Sequence, residues 1–268
     1  GVLRYDDRGT AKSTGDFNSA TSLHLSRDVE AAVSYLTSRK EVDKKKIGLI
    51  GHSEGGIIAP MLAANDKRVA FVVMLAGPGV RGDELLLLQN RAIAQASGAP
   101  EAAIAGNEKL NAPLFRAIVN ATDTVGLRKK LMEIMRESIN TIPELKASLS
   151  AEQQDDLVAN TVSTLLTPWM TYFIKHDPTE ALRKVKVPVL ALNGSLDLQV
   201  PASENLTAIN KALRDGGNTA FQTTELPGLN HLLQEAETGL PNEYPQIEQT
   251  ISPRALDEIL KWLKLRTR

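Results

Sequence analysis

The feature that most restricts the fold of this chain is a glycine-rich hexapeptide between an apolar run and a helical stretch. Residues 51–56 read Gly-His-Ser-Glu-Gly-Gly, directly after Ile47 to Ile50 and directly before Ile57 to Ala64. A sharp turn from strand to helix strains the backbone of its central residue, and glycine leaves room where the two elements nearly touch. The pattern therefore predicts a nucleophile elbow that presents the Ser53 hydroxyl above a sheet, at the positive end of a helix.

Short β-rich runs alternate with helical stretches along the rest of the chain, which predicts a parallel sheet wrapped by helices. The candidate strands are Val2 to Tyr5, Ile47 to Ile50, Val69 to Ala76, Pro188 to Asn193 and Ala220 to Leu226.

Helical spacing of apolar residues predicts a first helix from Ser22 to Ser38 and a last helix after Ser252. In the last helix we expect an apolar stripe to pack on the sheet. The stripe consists of Leu256, Ile259, Leu260 and Leu263.

One long segment interrupts this alternation. Residues 80–186 show helical patterns without a convincing strand, and their borders are marked by Gly77-Pro78-Gly79 and by Pro188. We therefore predict an α/β core formed by residues 1–79 and 187–268, with residues 80–186 inserted as a helical cap.

Composition excludes several classes of function. The 268 residues carry a formal net charge of −1, which is not the basic balance of a nucleic-acid-binding protein. No apolar stretch approaches the roughly 20 residues that cross a bilayer, so we expect a soluble protein with no membrane span. The absence of cysteine excludes disulfides, thiolate zinc sites and cysteine nucleophiles. It leaves the compartment open between a bacterial cytoplasm and a periplasmic or secreted location.

A serine nucleophile requires a base, and the chain offers four histidines. His24 begins a helix, His52 is expected to point away from the Ser53 side chain, and His176 lies in a turn at a helix end. Packing or surface roles account for all three. His231 lies in the loop that directly follows the last strand, where this type of fold places its base, and it is therefore the candidate.

The base in turn requires a carboxylate that fixes its tautomer. Asp197 follows the strand that ends at Asn193, at the carboxyl edge of the sheet. The chain order Ser53, Asp197, His231 is the order that this fold uses. We therefore predict these three residues as the catalytic triad.

The chain resembles bacterial α/β-hydrolases related to the serine aminopeptidases and the prolyl-oligopeptidase group. The resemblance covers nearly the whole chain and is carried by the elbow, by residues 5–13 and by the histidine loop at residues 226–234. It implies that the early turn is architectural, with Gly9 in an unusual backbone conformation and structural roles for Asp6, Asp7 and Arg8. Relatives usually have a second glycine where this chain has Ala11.

The resemblance also implies the oxyanion hole and the strand order. One oxyanion donor is expected to be the backbone N–H of Glu54. Its side chain is expected to face solvent or to pair with an arginine, and the alternative is that it receives a substrate amine, as acidic residues do in aminopeptidases. The second donor belongs to a loop after an earlier strand, and the N-terminal strands of the fold are absent from the sequence. We therefore expect a piece of a longer protein, with Val2 to Tyr5 separated from Ile47 to Ile50 by one strand's width.

These inferences favour hydrolysis of a carboxylic ester through an acyl-Ser53 intermediate, without a cofactor or a metal. Cleavage of a peptide or an aminoacyl amide by the same residues is the alternative, and a non-catalytic binding protein of the same fold is a third. The expected partner is a small ester or a short peptide.

Trp169, Tyr172 and Phe173 are candidates either for an acyl pocket or for packing within the cap. Acyl length and oligomeric state are left open.

Overall fold

The computed structural model describes residues 1–123 and 125–266. Within these residues, one sheet contains four parallel strands in the order β1-β2-β3-β4. The strands are β1 (Gly48–His52), β2 (Phe71–Leu75), β3 (Val189–Gly194) and β4 (Phe221–Leu226).

Eleven α-helices surround the sheet in the described part of the chain. Two precede β2: α1 (Ser22–Ser38) and α2 (Gly55–Ala63). Seven lie between β2 and β3: α3 (Gly82–Ala96), α4 (Glu101–Val119), α5 (Leu127–Thr141), α6 (Pro143–Ser148), α7 (Ala151–Leu165), α8 (Pro168–Lys175) and α9 (Pro178–Leu182). The last two are α10 (Ala202–Asp215) and α11 (Pro253–Arg266). We refer to α3–α9 as the helical segment.

Alternate residues of each strand point to opposite faces of the sheet, and helices pack on both faces. Val72 and Met74 of β2 are fully buried against α2 and α10. Val73 and Leu75 face the other side, where Trp262 of α11 packs edge-on against Phe71 at a ring-centroid distance of 5.9 Å. This double covering explains why the central strands β2 and β3 are buried along their whole length, whereas β1 and β4 at the edges of the sheet have exposed residues.

The helical segment also has an apolar core of its own. Leu114 and Ile118 of α4, Leu131 and Met135 of α5, and Val162 of α7 are buried together. The sheet and the helical segment thus each bury a separate apolar cluster. The division into a core of residues 1–79 and 187–268 and a cap of residues 80–186 remains a prediction.

The first candidate strand is a correction. Residues 2–5 form no strand, and Val2 and Tyr5 are 88% and 45% exposed. A β-strand needs a neighbouring edge for its backbone hydrogen bonds, and no described strand lies beside this segment. The other four strands lie within two residues of their predicted bounds.

The packing face of α11 is a second correction. The helix follows Ser252 as predicted, but Leu256 and Leu260 are each 49% exposed. Ala255 and Trp262 are buried instead, because the large indole ring fills the space above Phe71. The predicted stripe is therefore correct at Ile259 and Leu263, which pack partly buried against the same cluster, and wrong at Leu256 and Leu260.

None of the described helices combines the length and apolar character that a membrane span requires.

Candidate active site

Ser53 lies at the sharp turn between β1 and α2. Its backbone has a φ of +54°, a left-handed conformation that non-glycine residues rarely adopt, and its N–H donates to Leu75 O of β2 at 2.9 Å. A Cβ at Gly51 would lie 1.9 Å from Gly55 O, and one at Gly56 would lie 2.6 Å from a backbone atom of the β2–α3 loop. Close approach thus requires glycine at positions 51 and 56, whereas a Cβ at Gly55 would meet open space.

Asp197 lies in the turn that follows β3. Its carboxylate oxygen Oδ1 accepts the backbone N–H groups of Gln199 at 2.9 Å and Val200 at 2.8 Å. The residue is 3% exposed. These bonds hold the carboxylate in one orientation at the carboxyl edge of the sheet.

His231 lies in the loop after β4 and connects the other two residues. Its Nδ1 is 2.9 Å from Asp197 Oδ2, and its Nε2 is 3.1 Å from Ser53 Oγ. A carboxylate only accepts, so Nδ1 carries the proton and Nε2 is available to accept from the serine hydroxyl. The structure thus brings together all three predicted side chains in one hydrogen-bonded chain.

Asn230 supports the histidine loop, and the sequence analysis did not single it out. Its buried Oδ1 accepts the N–H groups of Leu232 at 3.0 Å and Gln234 at 2.9 Å, and its Nδ2 donates to Gln234 Oε1 at 2.9 Å. Leu233 between them has a φ of +58°. The asparagine therefore holds a strained loop that carries His231, and an Asn-His pair before an apolar dipeptide is the sequence signal that could have identified it.

His52 contacts the same loop from the end of β1. Its Nε2 donates to the backbone carbonyl of His231 at 2.8 Å, and the two imidazole rings lie 4.8 Å apart. The residue as a whole is exposed, but its ring lies partly buried over His231, and this burial lowers the pKa of His52 below its ordinary value. The neutral ring is therefore the favoured form beside the proposed base.

Glu54 departs from the expectation for its side chain. Its Oε1 accepts the hydroxyl of Ser22 at 2.6 Å and the indole N–H of Trp169 at 2.8 Å. The carboxylate is thus neither directed to open solvent nor paired with an arginine within the described residues, because α1 and α8 both close around it. Its backbone N–H, outside the helical ladder of α2, donates to no acceptor in the described part of the chain.

Tyr244 lies on the outer side of the Asp197 turn. Its hydroxyl accepts from Gln199 Nε2 at 3.2 Å, and Gln199 is the residue whose N–H holds the Asp197 carboxylate. Burial raises the pKa of Tyr244 above its ordinary value. The hydrogen bond from Gln199 opposes this shift, and the nearby Asp197 charge adds to it. The phenol therefore stays neutral at neutral pH.

The remaining histidines and the aromatic residues of α8 make local contacts at the ends and on the faces of their helices. His24 Nδ1 accepts the N–H of Thr21 at 3.2 Å at the start of α1, and His176 ends α8 with its ring stacked on Tyr172. Trp169 stacks on Phe173 at a centroid distance of 5.1 Å. None of these side chains belongs to the hydrogen-bonded chain of the triad.

The N-terminal turn is architectural, as the resemblance implied. The Arg8 guanidinium forms an ion pair with Asp28 of α1 at 2.5 Å and also donates to His24 O. Gly9 has a φ of +69°, and Ala11, at the position of the second family glycine, has a φ of +47°. Asp6 and Asp7 accept hydrogen bonds within the turn through their backbone carbonyls.

The fold and this arrangement define the class of protein. A parallel sheet carrying a serine on a strand-to-helix turn, with a histidine and an aspartate on later loops, is that of the α/β-hydrolases, and the chain is a serine hydrolase. The sequence model of the X-Pro dipeptidyl-peptidase family (S15 family) matches residues 1–226. The chain belongs to this family.

Solved structures share the fold at low sequence identity. DcsB, solved in complex with its substrate analogue, is 18% identical with a TM-score of 0.53, over 98% of this chain and 79% of that one. A carboxylesterase structure from Nitrososphaera gargenis is 20% identical with a TM-score of 0.50 over the same shares. The α/β-hydrolase GrgF from Penicillium sp. sh18 is 16% identical with a TM-score of 0.53, over 98% and 78%.

Proposed function

We propose that this protein hydrolyses carboxylic esters through an acyl-enzyme intermediate on Ser53, with His231 as general base and Asp197 as its carboxylate partner. The observation that carries the proposal is the continuous contact from Asp197 Oδ2 to His231 Nδ1 and from His231 Nε2 to Ser53 Oγ. Each member occupies the position that its role requires. If these three side chains had only structural roles, they would not need to form a chain from carboxylate to imidazole to hydroxyl.

In the acylation step, Ser53 Oγ attacks the acyl carbon while His231 Nε2 takes the hydroxyl proton. Asp197 stabilises the imidazolium through Nδ1–H without itself becoming protonated. The negative charge moves to the acyl oxygen. The Glu54 N–H, which has no other acceptor among the described residues, is the proposed donor to that oxygen. His231 then transfers its proton to the leaving alcohol as the carbon–oxygen bond breaks.

In the deacylation step, water replaces the alcohol. His231 Nε2 takes a proton from water, the hydroxide attacks the acyl carbon, and the proton returns to Ser53 Oγ as the acid leaves. Every proton is thus transferred through one imidazole nitrogen. The buried Asp197 carboxylate, held by two backbone N–H groups, keeps that nitrogen directed at the serine.

The substrate class is the finer part of the proposal. An ester has a better leaving group than an amide and needs less stabilisation of the tetrahedral intermediate, so it demands less of the proposed catalytic residues. This argument favours esters. Membership of the X-Pro dipeptidyl-peptidase family favours the second candidate, cleavage of a peptide bond by the same residues.

We further propose that residues 80–186 act as a cap over this site. Trp169 of the helical segment bonds to Glu54, the residue after the nucleophile, which supports that assignment. The cap would then restrict which acyl groups reach Ser53.

Two substrate series separate the candidates when kcat/KM is measured for each. Short-chain p-nitrophenyl esters test ester hydrolysis, and X-Pro p-nitroanilides test peptidase activity, with Ser53→Ala as the control for both. We expect the esters to be hydrolysed with the higher kcat/KM and the variant to lose activity on both series. A higher kcat/KM on the anilides identifies a peptidase. If the full-length protein shows no Ser53-dependent turnover of either series, both candidates are contradicted and a binding protein is favoured.

A further inference from the structure

One carboxylate oxygen joins three parts of the molecule beside the nucleophile. Glu54 follows Ser53 on the elbow, Ser22 is the first residue of α1, and Trp169 is the second residue of α8. The Ser22 hydroxyl and the Trp169 indole N–H both donate to Glu54 Oε1, at 2.6 Å and 2.8 Å. The elbow, an early helix and the helical segment are therefore connected at a single atom.

Neutral donors alone hold this carboxylate. No lysine, arginine or histidine of the described residues forms an ion pair with Glu54. Hydrogen bonds to a charged acceptor are shorter and about twice as strong as those between neutral groups. The two bonds are therefore strong and directional, and each depends on the orientation of its donor.

Packing fixes the orientation of the Trp169 donor. The indole ring stacks on Phe173 one turn along α8, with ring planes 17° apart. Phe173 is buried with Ile57 of α2 and with Val80, so the pair lies where the helical segment meets the core. Thr167 caps the start of α8 by accepting the Met170 N–H. The position of α8 thus sets the position of the N–H that Glu54 receives.

The same residue provides the proposed oxyanion donor through its backbone. Ser53 has a strained φ of +54°, so the direction of the following peptide N–H depends on contacts that hold the turn. The Glu54 side chain supplies such contacts on two sides. The position of α8 and the direction of the Glu54 N–H are therefore mechanically linked.

We propose that the Glu54 carboxylate is a positioning residue that ties the helical segment, through Trp169, to the oxyanion donor of the elbow. It acts by fixing geometry and not by its charge on the substrate. The proposal rests on the hydrolase function proposed above, and it assigns to Trp169, Glu54 and Ser22 a shared role that no single contact reveals.

The test compares four variants by kcat, KM and the indole signals in a two-dimensional ¹H–¹⁵N NMR spectrum. Glu54→Leu removes the acceptor, Glu54→Gln keeps an acceptor oxygen without charge, and Trp169→Phe removes the indole donor while keeping an aromatic ring. Trp262→Phe is the matched control, because Trp262 lies in α11 and its Nε1 has no partner among the described residues.

We expect the Trp169 indole proton to resonate downfield of the Trp262 proton and to move upfield in Glu54→Leu. With a short p-nitrophenyl ester, Glu54→Leu should lower kcat about 10- to 100-fold, which is less than the 10²- to 10³-fold loss caused by removing a whole oxyanion donor. Trp169→Phe should lower kcat about 10-fold, as for one hydrogen bond to a charged group. Glu54→Gln should lose less than Glu54→Leu, KM should change less than kcat, and Trp262→Phe should keep kcat.

Three results would overturn the proposal. These are an unchanged Trp169 signal in Glu54→Leu, equal kcat in Glu54→Gln and Glu54→Leu, and wild-type kcat in Trp169→Phe. If Glu54→Leu fails to fold, Trp169→Phe still tests the proposal, because that substitution changes only a partly exposed side chain of α8. Failure of the proposed function is distinct, since it removes ester turnover from the wild type and leaves the NMR contact in place.

Discussion

The loops at the carboxyl edge of the sheet and the N-terminal turn both carry family motifs, yet the molecule supports them in different ways. In the histidine loop, Asn230 is fully buried and bonds to two backbone N–H groups and one side chain. In the N-terminal turn, residues 6–12 are mostly exposed, and Arg8 provides the main link to the helices. Both regions contain a non-glycine residue with positive φ: Leu233 in the first and Ala11 in the second.

The two regions differ in how strongly hydrogen bonds within the protein hold their backbone geometry. A buried loop that satisfies its polar groups internally has one arrangement, because each broken bond would leave a buried group unpaired. An exposed turn exchanges its hydrogen bonds with water at little cost. We therefore expect substitutions in the first region to affect both activity and stability, and substitutions in the second to affect stability slightly.

The largest effect is expected from Asp197→Asn. The asparagine keeps the size of the side chain but presents an amide to His231 Nδ1, which favours the wrong tautomer, and kcat should fall by about 10⁴-fold. Steady-state kinetics with a p-nitrophenyl ester, together with a thermal melt that shows an intact fold, checks this. If kcat stays near the wild-type value, another carboxylate such as Glu225 is the acid.

Asn230→Ala should have the next largest effect. The change removes three hydrogen bonds and leaves the N–H groups of Leu232 and Gln234 without their acceptor, so the free energy of unfolding should fall by about 2–4 kcal/mol. Urea denaturation measures the loss. Asp16→Ala, which removes an exposed bond to the Asn18 N–H in the N-terminal turn, is the matched control and should cost about 0.5 kcal/mol at most. Equal losses would remove the distinction between the two regions.

The pH dependence of stability offers a smaller effect in the first region. Because burial lowers the pKa of His52, the folded protein binds its proton less readily than the unfolded chain does. Above the ordinary histidine pKa of about 6.5, His52 is neutral in both states and folding carries no penalty from it. As the pH falls below that value, the unfolded chain takes up the proton more readily and the folded protein loses stability. His52→Gln should therefore lose less Tm between pH 8 and pH 5 than the wild type. An identical loss in both proteins would contradict this role for His52.

The smallest effect is expected from Ala11→Gly in the N-terminal turn. Glycine adopts the φ of +47° without the steric cost of a Cβ, but it also loses more backbone entropy on folding. The net gain in the free energy of unfolding should be about 0.5–1 kcal/mol, without a change in kcat. Ala31→Gly on the exposed side of α1 is the control and should destabilise by about 1 kcal/mol. A loss at both positions would show that the turn relaxes in solution.

Local patterns predicted the parts of the fold that depend on neighbours in sequence. The elbow, α1 and four strands follow from hydrophobic runs and glycine positions, and the order of Ser53, Asp197 and His231 placed all three at one edge of the sheet. The prediction of a strand at residues 2–5 was wrong because strand formation depends on a neighbouring strand edge, which a local sequence pattern does not contain. The predicted α11 stripe was correct at Ile259 and Leu263 but wrong at Leu256 and Leu260, where Ala255 and Trp262 are the buried residues instead.

Other features depend on contacts between distant residues and left little trace in the sequence. The bond between Glu54 and Trp169 joins positions 115 residues apart, and the bond between His52 and the His231 carbonyl joins positions 179 residues apart. Helix α10, whose Ile209 and Leu213 pack on the sheet, was also not predicted, although its apolar spacing is helical. Such contacts arise from the tertiary arrangement that the local patterns build.

The central claim is that Ser53 is the activated nucleophile, and covalent labelling tests it most directly. A fluorophosphonate probe applied to the folded protein should add its mass to the tryptic peptide that contains Ser53, because His231 removes the hydroxyl proton only in the intact site. Ser53→Ala should abolish this label, and Asp197→Asn should slow it strongly. Labelling of a different serine, or labelling that persists unchanged in Ser53→Ala, would contradict the account.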